Sequence, residues 1–134
     1  VNEYIRHGKS WNVIYETIQS WTEYKNNTDN CTLSVFTTVQ AYNFHDVKNI
    51  KNLADELGLE FHNSLLQVPE YLSVNSLPTD YIEQTTDDFN KKYLPSIQYN
   101  GQFGKLIEYT LDMDSLLDTD LGSHNSLLKK YMEC

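Results

Sequence analysis

The stretch LSVFTTVQAYN, residues 33–43, decides the fold. Leu33, Val35, Thr37 and Val39 fall on one side of an extended chain, and Ser34, Phe36, Thr38 and Gln40 on the other. Apolar residues occupy both sides in its first half, which is the pattern of a parallel strand covered by helices. Polar residues gather toward its C-terminal end. That asymmetry predicts a buried strand that opens into a polar loop.

The flanking sequence extends the pattern. Asp46 is placed to cap a helix whose buried stripe is Val47, Ile50, Leu53, Ala54 and Leu57, and Gly58 supplies its stop. A second run, LEFHNSLLQVPEYL at 59–72, predicts a strand that begins at Leu59 and ends before Pro69. Its parity stays open: Phe61, Asn63, Leu65 and Gln67 share one face, and His62, Ser64 and Leu66 the other. Strand, helix and strand at this spacing make a parallel crossover, and such units place their ligands just past the strand ends.

Before this unit, residues 2–10 read as a loop with Gly8 as its most flexible point. Ser10 then caps a helix that starts at Trp11, with Trp11, Ile14, Tyr15, Ile18 and Trp21 at helical spacing. The polar run KNNTDNCT at 25–32 ends it. After the second strand, Leu77-Pro78-Thr79 opens a third helix carrying Ile82, Phe89 and Tyr93. Residues 94–104 read as irregular. A fourth helix carries Phe103, Leu106, Ile107, Thr110, Leu111 and Leu117, and 123–132 forms one more short helix. Two strands are too few for a stable sheet, and both would have open edges. The expectation is an α/β fold that is the later part of a larger barrel.

Composition sets the outer limits. The chain of 134 residues is long enough for one domain, and its 40% hydrophobic and 22% charged residues are ordinary for a folded protein. A net charge of −9 argues against nucleic acid as a partner, since phosphate binding needs clustered Lys and Arg. No apolar run reaches the roughly 20 residues of a membrane helix. The polar opening VNEYIRHGKSWN carries no secretion signal, so a cytoplasmic protein without a membrane partner is expected. Cys31 and Cys134 form no motif and read as free thiols in a reducing compartment. The two Asn-X-Thr sequences, at Asn26 and Asn30, then read as chance. A start at Val1 rather than Met hints at missing upstream sequence.

Common catalytic signatures are absent. His7, His45, His62 and His124 lack the spacing of a zinc site. A calcium loop starting at Asp112 would need Gly at its sixth position and Glu at its twelfth, where Leu117 and Ser123 stand. No phosphate loop, dinucleotide fingerprint or GxSxG elbow is present. What remains is the set of polar residues at the strand ends: Thr38, Gln40 and Asn43 after the first, Asn63 and Gln67 on or after the second. In a parallel barrel they would line the mouth. The competing explanation is that they satisfy loop backbone groups.

Several phrases, in order, resemble radical S-adenosylmethionine (SAM) enzymes with SPASM or twitch-type C-terminal regions. NEYIRHGKSW at 2–11 resembles the segment after that family's fourth barrel strand. TTVQAYN at 37–43 is similar to the fifth strand with its following Asn, and EFHNSLLQVPEYLSVNSLP at 60–78 to the sixth. LIEYTLDMDSLLDTDLG at 106–122 is similar to the C-terminal region. The resemblance implies the later portion of a partial (β/α)6 TIM-like barrel with parallel strands over residues 1–93, followed by a C-terminal helical extension over 94–134. It implies that Arg6 lies near the SAM carboxylate, Thr38 and Gln40 near SAM, and Asn63 and Leu66 near its adenine. Asn43 and Gln67 would face substrate, with Asn43 equally readable as a helix-start residue and Pro69 as structural.

The chain departs from that family in one large respect. The CxxxCxxC loop that holds a [4Fe-4S] cluster is missing, as are the first strands and the SxDG-like segment. The implied partners are therefore the missing N-terminal half of the barrel and a peptide or small-molecule substrate. SAM and the [4Fe-4S] cluster would belong to the full-length parent, and this chain would be inactive alone. The alternative is a complete, non-catalytic α/β module for binding or protein interaction.

Overall fold

The computed structural model describes residues 2–6 and 10–134. In chain order the elements are α1 (Asn2–Ile5), α2 (Trp11–Asn26), β1 (Ser34–Val39), α3 (Val47–Glu56), β2 (Glu60–Leu65), α4 (Thr79–Thr85), α5 (Phe103–Leu117) and α6 (Ser126–Met132), with short 3₁₀ turns between them. β1 and β2 form a two-stranded parallel sheet, with Ser34 opposite Glu60 and Val39 opposite Leu65. The expected crossover is thus present, with α3 as its helix.

The local causes are visible at the joints. Gly58 takes φ +67°, a left-handed conformation that costs any Cβ-bearing residue, and so ends α3 and turns the chain into β2. Lys25 Nζ donates to the Gly58 carbonyl at 3.0 Å, tying the end of α2 to the same turn. The entry of the chain into α3 differs from the expectation. A 3₁₀ turn, Phe44–Asp46, precedes the helix, and the Asp46 carboxylate accepts from the Asn49 amide at 2.6 Å instead of capping backbone N–H groups.

The strands resolve the open parity. Phe61, Asn63 and Leu65 are half-buried on β2, and Glu60, His62 and Ser64 are exposed. On β1 the expectation of two covered faces is corrected. Val35 and Thr37 are half-buried and Val39 is fully buried, but Phe36 is 65% exposed. Among the described residues, no helix covers the face that carries Phe36.

Near the N-terminus, residues 2–6 are not a loop as expected. Tyr4 is buried, its ring edge-on to Tyr42 at 5.1 Å and its hydroxyl donating to Asp114 at 2.9 Å. These distant partners hold a helical turn that local sequence does not announce. Gly8 and His7 lie outside the described residues. Helix α2 starts at Trp11 as expected, but Ser10 makes no side-chain cap; Glu3 accepts the Trp11 N–H at 2.7 Å instead. Its apolar stripe is half-buried at best, and Trp21 is 56% exposed.

Helix α4 ends at Thr85, earlier than the spacing of Ile82, Phe89 and Tyr93 implied. Asp87 Oδ1 accepts the N–H groups of Phe89 and Asn90, and Asn90 Oδ1 accepts that of Asp87, closing a separate turn. Phe89 and Tyr93 therefore reach the core from the turn and the 3₁₀ stretch that follows it. On α5, Leu106 and Thr110 are buried, whereas Leu111 and Leu117 face out.

One buried cluster joins Tyr4, Val39, Phe44, Val47, Leu77, Tyr81, Tyr93, Leu106, Leu121 and Leu128. It draws on both sides of residue 93, so the helices after β2 pack directly on the crossover unit. Each large apolar side chain buried here contributes about 1.5–3 kcal/mol relative to exposure. The C-terminal helices thereby cover the sheet side bearing Val39 and fix the loop after β1.

Candidate functional site

The loop that leaves β1 is held by its own side chains. The carbonyl oxygens of Leu33 and Val39 accept from Glu60 and Leu66 N–H groups on the β2 side, at 3.3 and 2.9 Å. In a parallel ladder alternate residues turn their backbone groups to opposite edges. Phe36, Thr38 and Gln40 therefore address the edge away from β2. At its C-terminal end that edge is closed by Asn43, whose Nδ2 donates to the Thr38 carbonyl at 3.0 Å while its Oδ1 accepts the Gln40 N–H at 2.8 Å. The carboxamide stands in for one residue of a neighbouring strand.

Beside this clamp lies a cleft of about 260 Å³, lined by Arg6, Thr38, Gln40 and Asn43 together with Ile5, Phe36, Thr37, Asp46, Val47 and Ile50. Four of the residues singled out in the sequence thus meet in one place, at the C-terminal end of a parallel strand. The other three do not join them. The Asn63 Oδ1 accepts from the Tyr93 hydroxyl at 2.5 Å and faces the core. Leu66 gives its N–H to Val39, and Gln67 is exposed. Asp46, expected as a helix cap, also lines the cleft, and its position directly after the β1 loop is the signal that puts it there.

The chemistry of the cleft is that of recognition. Arg6 supplies an exposed guanidinium suited to a carboxylate or phosphate, and Thr38 and Gln40 supply neutral polar groups. Both ends of the Asn43 amide are already bonded, to Thr38 at the end of β1 and to Gln40 just after it, so its first role is to shape the wall.

A buried polar network holds Tyr42 and His45, on either side of Asn43, to the C-terminal elements. Asn125 Nδ2 lies 2.9 Å from the Tyr81 hydroxyl, 3.2 Å from the Tyr42 carbonyl and 3.1 Å from His45 Nδ1, so its two hydrogens are shared among three acceptors. Its Oδ1 caps α6 through the Leu128 N–H at 3.0 Å. Burial pushes the Tyr42 and Tyr81 hydroxyls up to about 12, so both remain protonated, and it holds His45 below its ordinary value despite the opposing pull of Asp46.

The described residues do not fit an iron–sulfur cluster. No group of three or more His, Cys, Asp or Glu side chains among them could hold a metal ion, and Cys31 and Cys134 are separate free thiols. Asp114, in the acidic run once compared with a calcium loop, instead accepts from the Tyr4 hydroxyl, the Thr119 hydroxyl and the Leu121 N–H. No helix of the described residues is long and apolar enough to cross a membrane. No protein-family model, curated protein or solved structure matches this chain.

Proposed function

We propose that this chain is the later portion of a radical SAM enzyme and contributes part of the SAM and substrate pocket to a barrel completed by other strands. The carrying observation is the convergence of Arg6, Thr38, Gln40 and Asn43 on one cleft at the C-terminal end of a parallel strand. Two further features support it. Among the described residues the sheet has two strands, and the edge of β1 away from β2 has no strand partner, as for a strand of a larger sheet once its neighbour is removed. The cleft of about 260 Å³ falls below the roughly 300–1,000 Å³ of complete small-molecule sites, which suits a partial pocket.

In this reading Arg6 pairs with the SAM carboxylate, and Thr38 and Gln40 flank it. Asn63 and Leu66 are left out of this pocket, because the Asn63 side chain bonds Tyr93 in the core and the Leu66 N–H is spent on Val39. The cluster that reduces SAM is held by the missing half, which carries the CxxxCxxC loop, and the substrate is a peptide or a small molecule. The test is equilibrium binding of SAM to the protein encoded by the complete reading frame. Replacing a charge-assisted contact should cost about tenfold or more in affinity, so Arg6→Ala should weaken SAM by that factor. Unchanged affinity would remove Arg6 from the pocket.

A second reading rests on the buried cluster, which runs continuously from Tyr4 to Leu128. Such a core supports a self-standing α/β interaction module without catalysis. It requires a single sharp thermal transition for the isolated chain, with coincident loss of far- and near-ultraviolet circular dichroism. A broad melt with aggregation counts against it.

A further inference from the structure

We propose that a second cleft, between α2 and α3, binds a small organic cation. It is the larger of the two, about 730 Å³, and meets the β1 cleft at Asp46 and Ile50. Its size falls within the roughly 300–1,000 Å³ range of small-molecule sites. On the α2 side stand Trp11 and Tyr15, one helical turn apart, with ring centroids 6.3 Å from each other and planes tilted by 35°. On the α3 side stand Ile50 and Leu53. The cleft therefore has apolar walls, one of them aromatic.

Charge selects the occupant. Glu3, Asp46 and Glu56 line the cleft, and none of its described lining residues is Lys or Arg. The Trp11 N–H and the Asn49 amide orient the Glu3 and Asp46 carboxylates, at 2.7 and 2.6 Å. A neutral apolar ligand would cover the half-buried Asp46 carboxylate without compensation, and the exposed Glu3 and Glu56 carboxylates favour a cation from the rim. A bare metal ion fits no better, because no group of three or more potential ligands converges among the described residues. An ammonium on a short apolar body meets both requirements: its charge faces the ring surfaces and the carboxylates, and its methyl or methylene groups cover Ile50 and Leu53.

Choline and its neutral isostere 3,3-dimethylbutan-1-ol, which differ only in replacement of the quaternary nitrogen by carbon, make the test. Isothermal titration of the intact chain should show choline binding at least about tenfold more tightly than the isostere. Glu56→Gln, a conservative change at the end of α3 that leaves the β1 cleft intact, should weaken choline several-fold without affecting the isostere. Trp11→Leu should remove most of the preference for charge. Equal affinity for the two compounds, indifference of choline binding to both substitutions, or no binding of choline at about 10 mM would overturn the proposal.

Discussion

The residue that ties most of the molecule together is Asn125. It caps α6 and, through one amide, faces Tyr42, Tyr81 and His45 across the core. Truncation to Ala would strand several buried polar groups, and Asn125→Ala should destabilise the chain by about 2–4 kcal/mol in urea unfolding. His45 makes the same network sensitive to acid. Its folded value lies below the ordinary 6.5 because burial disfavours the imidazolium. The unfolded chain therefore takes up the proton first, so the contribution of His45 is complete above about 6.5 and is lost as pH falls toward its lower folded value. Urea midpoints at about pH 7.5 and 5 should differ more for the native chain than for His45→Gln. Equal differences would place the acid sensitivity elsewhere.

At the scale of elements, β1 is a strand with one finished and one unfinished side. Val39 is fully buried, whereas Phe36 is 65% exposed. Val39→Ala should therefore cost about 2 kcal/mol in the isolated chain, and Phe36→Thr no more than about 0.5 kcal/mol. The opposite ranking, read from denaturant midpoints, would mean that the Phe36 side is covered in solution. The crossover itself was legible in the sequence because its determinants are local: a period-two run, a helical stripe and Gly58. What escaped had distant or side-chain causes. Asn43 looks like a loop polar until its amide is seen bonding Thr38 and Gln40 of the strand just before it. Residues 2–6 look like a loop until Tyr4 finds Tyr42 and Asp114, and the end of α4 is set by the mutual bonding of Asp87 and Asn90.

For the whole molecule, the same division applies to the site. Of the strand-end polars that the sequence groups, Thr38, Gln40 and Asn43 line one cleft while Asn63 and Gln67 do not, and Arg6, implied by the resemblance alone, lines that cleft too. Sequence could not place Asn63, because the parity of β2 depends on which face meets Phe89 and Tyr93; Asn63 turns toward the Tyr93 hydroxyl. The proposed larger barrel rests on the two-stranded sheet and the small β1 cleft, beside the edge that Asn43 closes at one end. The central claim, that this is one part of a divided barrel, is tested most directly by the coding sequence upstream of the Val1 codon. An open frame that encodes a CxxxCxxC loop and an SxDG-like strand is the predicted result. An in-frame stop just before a start at this chain would contradict it.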